Sequence, residues 1–308
     1  MFSILPCRLM RLFIALCCVS FLFSCHPPQR PVREKKDFLA IVKARTMVFI
    51  VPDKELPYME DYKQLLPQVW TISPVKVVTY KEAALYPAAS EHYTYFTLHQ
   101  EVITHRYGTN TYVNMALDVP YKEAGKNRLK VKQLGLVDMY PEIGSMGIQN
   151  TKTIIEQMYT QYNIRNFSLP YMLAYLKFTQ EQIETGSKLN LADPLADKVL
   201  LAQLKKSTLY VPDSLIYHRN IYAGGKEKRQ SEDLFSEYKG KFQFIATADL
   251  IKLLKEKKNE PLFLFEYVQN SNTKLIRVLE LRTLSTAFRF KSALSYNLKP
   301  KDMKLILR

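Results

Sequence analysis

The sequence predicts an α/β protein of mixed (α+β) character: two related strand–helix–strand–helix–strand units with mixed sheets, joined by a helical segment. Three observations predict it. Two apolar runs end in the same Pro-Asp pair, Thr46–Asp53 (TMVFIVPD) and Ser207–Asp213 (STLYVPD). Behind each run the same order follows, with helical spacing, a second β-rich run, a helix start and a third extended run. Between the copies lies a stretch marked by helix-start signals. Short strands separated by helices call for right-handed crossovers, with helices packed against a sheet.

Each opening run is β-branched and aromatic, so it reads as a buried strand, and its proline ends it because proline cannot donate to a ladder. In the first copy Tyr58, Tyr62, Leu65, Leu66 and Val69 then recur at helical spacing; in the second, Leu234, Phe235 and Tyr238 do. Asp61-Tyr62-Lys63 and Glu237-Tyr238-Lys239 mark the same point near the helix end. The second strands are Val75–Thr79 and Phe242–Ala246. Thr79 with Glu82 predicts a capping box, and Thr247 with Asp249 an N-cap with an acidic first turn. The third strands are Tyr93–Thr104 and Leu262–Gln269, with Thr94-Tyr95-Phe96 lying over Phe263-Leu264-Phe265.

The copies then diverge. Residues 109–120 and 128–139 read as a hairpin turned by Lys122–Asn127. In the second copy the extended segment pairs with Lys274–Leu281 across Asn270–Thr273. In the connector, Asn150 can cap 151–162, residues 169–186 give one or two helices, and Asp193-Pro194 can start the last. The organisation expected is a signal segment at 1–24, a tether at 25–40, a first unit with its hairpin at 41–145, a helical connector at 146–205, and a second unit with a basic tail at 206–308.

The chain of 308 residues is 47% hydrophobic with 20 Tyr and 16 Phe, which excludes the disordered class and permits one large core or two smaller ones. Nine glycines argue against a phosphate-cradling loop. All four cysteines, Cys7, Cys17, Cys18 and Cys25, lie within the first 25 residues, so the folded part has no thiol to pair. No Gly-x-Ser-x-Gly, P-loop, dinucleotide fingerprint or His-Glu-x-x-His occurs. The sequence calls for no cofactor.

The N-terminus reads as an address. Arg8 and Arg11 precede the apolar run Leu12–Phe23, which is too short for a membrane-spanning helix of ~20 residues, so a removable signal peptide is expected. Leu22-Phe23-Ser24-Cys25 resembles the lipobox of bacterial lipoproteins, with Phe23 bulkier than the residue usual there. Ordinary secretion and an uncleaved anchor fit less well, because the apolar run stops at the cysteine and a Pro-rich tether begins at once. The resemblance implies cleavage before Cys25, lipid on the Cys25 sulfur, acylation (palmitate) of its new amino group, and membrane attachment. Several acyl chains anchor where a single one is marginal. The rest of the chain resembles uncharacterised envelope lipoproteins of Gram-negative bacteria, a likeness that implies location and no activity. His26, rather than Asp, after the lipid cysteine favours the outer over the inner membrane. The tether His26–Asp37 (HPPQRPVREKKD) is either a semi-rigid basic spacer meeting anionic headgroups or plain solvated linker.

Chemistry-bearing residues are few. His99, Glu101 and His105 share one face of the third strand by period two, yet His99 and His105 stand ~20 Å apart at ~3.3 Å per residue. Only His99 with Glu101 could converge on a metal, and a solvent-facing polar row is the simpler reading. Asp53 and Asp213 suggest a carboxylate pair, although Asp after Pro commonly forms a turn. Glu266 is the third acidic candidate for catalysis. Gly144-Ser145-Met146-Gly147 reads as a loop rather than a nucleophile turn. Tyr93, Tyr95 and Phe96 read as core before sugar-stacking.

The formal net charge is +15, with Lys and Arg gathered in 122–132, 226–229, 252–258 and 299–308. In an envelope compartment such patches suit anionic lipid, acidic glycan or an envelope protein, not nucleic acid; they also serve solubility. The function expected is that of a membrane-anchored lipoprotein acting as a non-catalytic binding or assembly module, with duplicated units offering a composite groove. The alternative is a hydrolase of an envelope glycan or peptide using Asp53, Asp213 or Glu266.

Overall fold

The computed structural model describes residues 37–308 apart from 88–89, 107, 124, 126–127, 143–150, 187–192, 221–225, 230–231, 257–259, 270–272 and 294–296. The expected lipidation site Cys25, the signal segment, the tether before Asp37, Asn150 and the Gly144–Gly147 loop lie outside the described residues. Among the described residues no helix is long and apolar enough to cross a membrane.

The first unit opens with helix α1 (Phe38–Lys43) and strand β1 (Thr46–Val51). Every β1 residue after Thr46 is buried, which is why the run is almost purely apolar: a strand with parallel neighbours on both sides is covered on both faces. A 3-10 turn, Asp53–Tyr58, leads into α2 (Met59–Val69) and then β2 (Val75–Thr79). The capping box forms as expected: Thr79 N donates to Glu82 Oε2 at 2.9 Å and Glu82 N to Thr79 Oγ1 at 3.2 Å. The helix it starts is only a 3-10 turn, Glu82–Leu85, because Pro87 disfavours helical backbone at Tyr86. β3 (Tyr93–His105), β4 (Gly108–Lys122) and β5 (Leu129–Asp138) complete an antiparallel meander.

The connector contains α3 (Thr151–Thr160) and α4 (Leu169–Thr185). Residues 169–176 of α4 are buried without a break, the pattern of a helix enclosed on all sides. It packs on α1, α2 and β5 of the first unit and reaches the second, where Tyr171 OH donates to Phe265 O at 2.5 Å. The expected connector is thus a core helix, and Phe38–Arg308 is one compact unit. α4 meets β5 closely at Gly135, where an added Cβ would stand 2.2 Å from Thr179 Oγ1 and φ is +63°. A short strand β6 (Leu195–Ala196) follows Asp193-Pro194. Asp197, not Asp193, caps α5 (Lys198–Leu204) by accepting from Val199 N and Leu200 N.

The second unit runs through β7 (Thr208–Pro212), a hairpin of β8 (Tyr217–Asn220) and β9 (Lys226–Arg229), β10 (Lys241–Ile245), α6 (Thr247–Glu256), β11 (Phe263–Gln269), β12 (Thr273–Glu280), β13 (Ser285–Ala293) and α7 (Pro300–Met303). Leu234 and Phe235, expected on a helix, lie in a 3-10 turn (Glu232–Phe235), and Tyr238 lies beyond it. Phe235 stacks on Phe242 at 4.8 Å and meets Phe265 edge-on at 5.5 Å, so tertiary aromatic packing overrides local propensity. The expected basic tail is also folded. Ser285–Ala293 is a strand, and Met303, Ile306 and Leu307 are buried. Lys274 and Asp302, both buried, pair at 2.5 Å and tie the C-terminus to β12.

The two sheets share one topology. Their orders are β2-β1-β3-β4-β5 and β10-β7-β11-β12-β13, the second extended by β6. In each, the first three strands are parallel and the next two antiparallel, with a register shift between the last pair. Met47 faces Val75 and Thr94, and Leu209 faces Phe242 and Phe263. By that register the second Pro-Asp closes its strand two residues early. The offset is even, so every side chain keeps its face.

Candidate functional site

The two units meet at an open groove of ≈ 550 Å³. One wall is α2, contributing Gln64, Leu65, Gln68 and Val69. Tyr62 and Leu66 on α2 are fully buried against the core, which leaves Leu65 and Val69, one turn apart, half-buried beside the opening. The other wall is α6, with Leu254 and Lys255, and the β12–β13 turn, with Leu281, Arg282 and Leu284. Leu173 of α4 lies at its floor. Lys255 pairs with Asp61 and ties α6 to α2.

The turn is built by one buried carboxylate. Glu280 accepts from Leu262 N and Arg282 N at 3.0 Å, and from Thr283 N and Oγ1 at 2.7 Å. This network holds Leu284 at φ 57°, the left-handed region, where a bulky non-glycine residue costs about 1–3 kcal/mol. Arg282 turns back onto α6, donating through Nη1 to Leu254 O at 2.5 Å, through Nη2 to Leu253 O at 3.2 Å, and through Nε to Glu260 O at 3.2 Å. Its charge thereby meets the carbonyl end of the helix. Burial lowers its pKa, opposed by Glu280 and Glu260.

The acidic residues singled out from the sequence fall in three separate settings. Asp53 and Asp213 each begin a 3-10 turn at the carboxyl end of their own sheet's β1 or β7. Glu266 is fully buried. Its Oε2 accepts from Arg277 Nε at 2.5 Å; its Oε1 accepts from Arg277 Nη2 at 2.7 Å, Asn166 Nδ2 at 3.1 Å and Tyr175 OH. Burial lowers the Arg277 pKa, but Glu266 outweighs it and the net shift is upward; Tyr175 is raised by burial first and then by Glu266. That is the geometry of an internal ion pair, closed to a polymer substrate.

His99 sits on β3 with its Nε2 3.1 Å from Asp118 Oδ1 on β4, an ion-pair approach without hydrogen-bond alignment. Its Nδ1 accepts from Gln133 Nε2 at 2.9 Å. Glu101 is exposed further along β3, opposite Tyr112, and the His105 side chain lies outside the described residues. No group of three or more His, Cys, Asp or Glu able to hold a metal occurs among the described residues.

One residue was not singled out in the sequence. Glu55, in the 3-10 turn after β1, accepts from Tyr62 OH at 2.9 Å. Burial pushes its carboxyl up to about 7, against the lowering effect of that bond. Its sequence signal, an acid between Asp53 and Pro57, is indistinguishable from turn chemistry. Comparison with protein-family models, curated proteins and solved structures finds no match.

Proposed function

We propose that the chain is a lipoprotein of the cell envelope, held to the membrane by lipid on Cys25, whose folded part is a non-catalytic binding or assembly module. The observation that carries this reading is the groove between α2 and α6, an apolar floor within a polar rim supplied by both units. Such a surface needs a partner rather than a reacting group. Outer-membrane placement follows the His26 argument, and the basic surface suits an anionic or acidic partner in that compartment. Anchoring is tested by Cys25→Ser: palmitate labelling should vanish and the product should be an unprocessed or mislocalised precursor. Normal membrane fractionation with undiminished label would remove the lipoprotein reading.

A hydrolase of envelope glycan or peptide is the second reading, and Glu55 favours it, since a carboxyl poised near neutrality can serve as a general acid. An activity screen on envelope glycans and peptides separates the two. Turnover lost in Glu55→Gln or Asp53→Asn would replace the binding-module reading.

A further inference from the structure

We propose that the groove receives an amphipathic α-helix of a partner protein, with aliphatic side chains at helical spacing along one face and a carboxylate set beside Arg282. This rests on the binding-module reading and names the occupant. Three features carry it.

The first is shape. Both walls include helices, and their half-buried aliphatic residues, Leu65 and Val69 on α2 against Leu254 on α6, stand over a floor at Leu173. One-turn spacing on the wall is the complement of i, i+3/i+4, i+7 anchors on an incoming helix. Leu284, held at φ 57° by the Glu280 network, is a preset contact at the end of the groove.

The second is charge. Lys255 is neutralised by Asp61. Arg282 bonds only to carbonyl oxygens among the described residues, using three of its five N–H donors. Glu280 and Glu260 act on its charge from nearby, yet those side-chain bonds all go to carbonyls, so a partner carboxylate would gain a charge-assisted hydrogen bond from the remaining donors. Without Arg8 and Arg11 of the signal segment the formal net charge is still +13 (15 minus 2), which favours the approach of an acidic segment.

The third is the rim. Gln64 and Gln68 are exposed along α2. They place amide donors and acceptors around the apolar floor, as in a protein interface with a polar edge. An acyl chain would leave these amides unused.

The test is site-specific photocrosslinking of the full-length protein in its native cells. p-Benzoylphenylalanine is placed at Gln68, with Val199, exposed on α5 outside the groove, as control. The adduct peptide is sequenced by mass spectrometry. The expected adduct at Gln68, absent at Val199, is one protein segment with apolar residues at i, i+3/i+4 and i+7 and an Asp or Glu among them. Arg282→Gln should cut its yield about ten-fold or more. Because that change also uncaps α6, Gln64→Glu provides a second measure, lowering the yield by like-charge repulsion with the cap intact. No adduct at Gln68, a lipid or glycan adduct, or a segment without helical spacing would overturn the inference. A protein adduct at Val199 alone would overturn it and leave the binding-module reading standing.

Discussion

Replacing Glu266 by Gln removes one charge from the most enclosed ion pair described and leaves the other in place. Arg277 is 1% exposed, so its guanidinium would lose its bidentate carboxylate while shielded from bulk solvent. The residue directly opposite on β13 is Arg289, a second cation, and Arg277 itself lies 5.0 Å from the Tyr175 ring centroid. Breaking a buried pair by removing one partner costs about 3–5 kcal/mol. The upper half applies here, because both carboxylate oxygens are used and Asn166 and Tyr175 also lose an anionic acceptor. At about 2–4 °C per kcal/mol for a chain near this size, Tm should fall by roughly 8–20 °C. The double replacement Glu266→Leu with Arg277→Met should recover most of the loss, since well-packed apolar residues can match a buried ion pair. Urea unfolding followed by circular dichroism, run as a double-mutant cycle, measures both. A loss below about 1 kcal/mol in Glu266→Gln, or additive effects in the double variant, would refute the account of this pair.

Gly135→Ala should destabilise the fold by about 1–3 kcal/mol in the same assay, because a Cβ there strikes Thr179 on α4 and φ is positive. Glu55 gives a pH signature. Its folded carboxyl lies at about 7 against an ordinary 4.5, so the folded state holds the proton more tightly than the unfolded one. Its contribution favours folding below about 4.5 and is progressively lost as pH rises to 7. Glu55→Gln, which keeps an acceptor for Tyr62, should therefore flatten the fall in stability across that window and stabilise the protein by about 1–3 kcal/mol at pH 8. An unchanged pH profile would refute the burial argument.

Strand positions were legible where one physical demand dominated. β1 and β7 had to be apolar on both faces, and the capping pair Thr79 and Glu82 announced itself by spacing. The C-terminal elements were not legible because their polar residues are satisfied at a distance: Lys274 looks like a surface lysine until Asp302 closes on it. The enclosure of α4 on all sides is not legible either, because helical periodicity says nothing about how many sides are covered. Tyr171 shows the cost of that silence, since its partner is a backbone carbonyl at Phe265 in the other unit. A groove between the units could be expected from their shared organisation. Its lining could not, because Leu65 and Val69 carry the same helical spacing whether they face core or solvent. Glu55 is silent in the sequence for a related reason: a raised pKa depends on burial, which spacing within a Pro-Asp turn does not report.

The most direct test of the binding-module account is quantitative affinity capture of the tagged protein from native membranes, comparing the wild type with Gln68→Trp. That bulky side chain lies on an exposed wall position, so it should fill the groove while leaving the core and the proposed Cys25 anchor alone. The account predicts a stoichiometric envelope partner with the wild type that is lost with Gln68→Trp at equal membrane abundance. Equal capture by both proteins would place the interface elsewhere; no partner at all, together with turnover of an envelope glycan or peptide by the purified chain, would contradict the account.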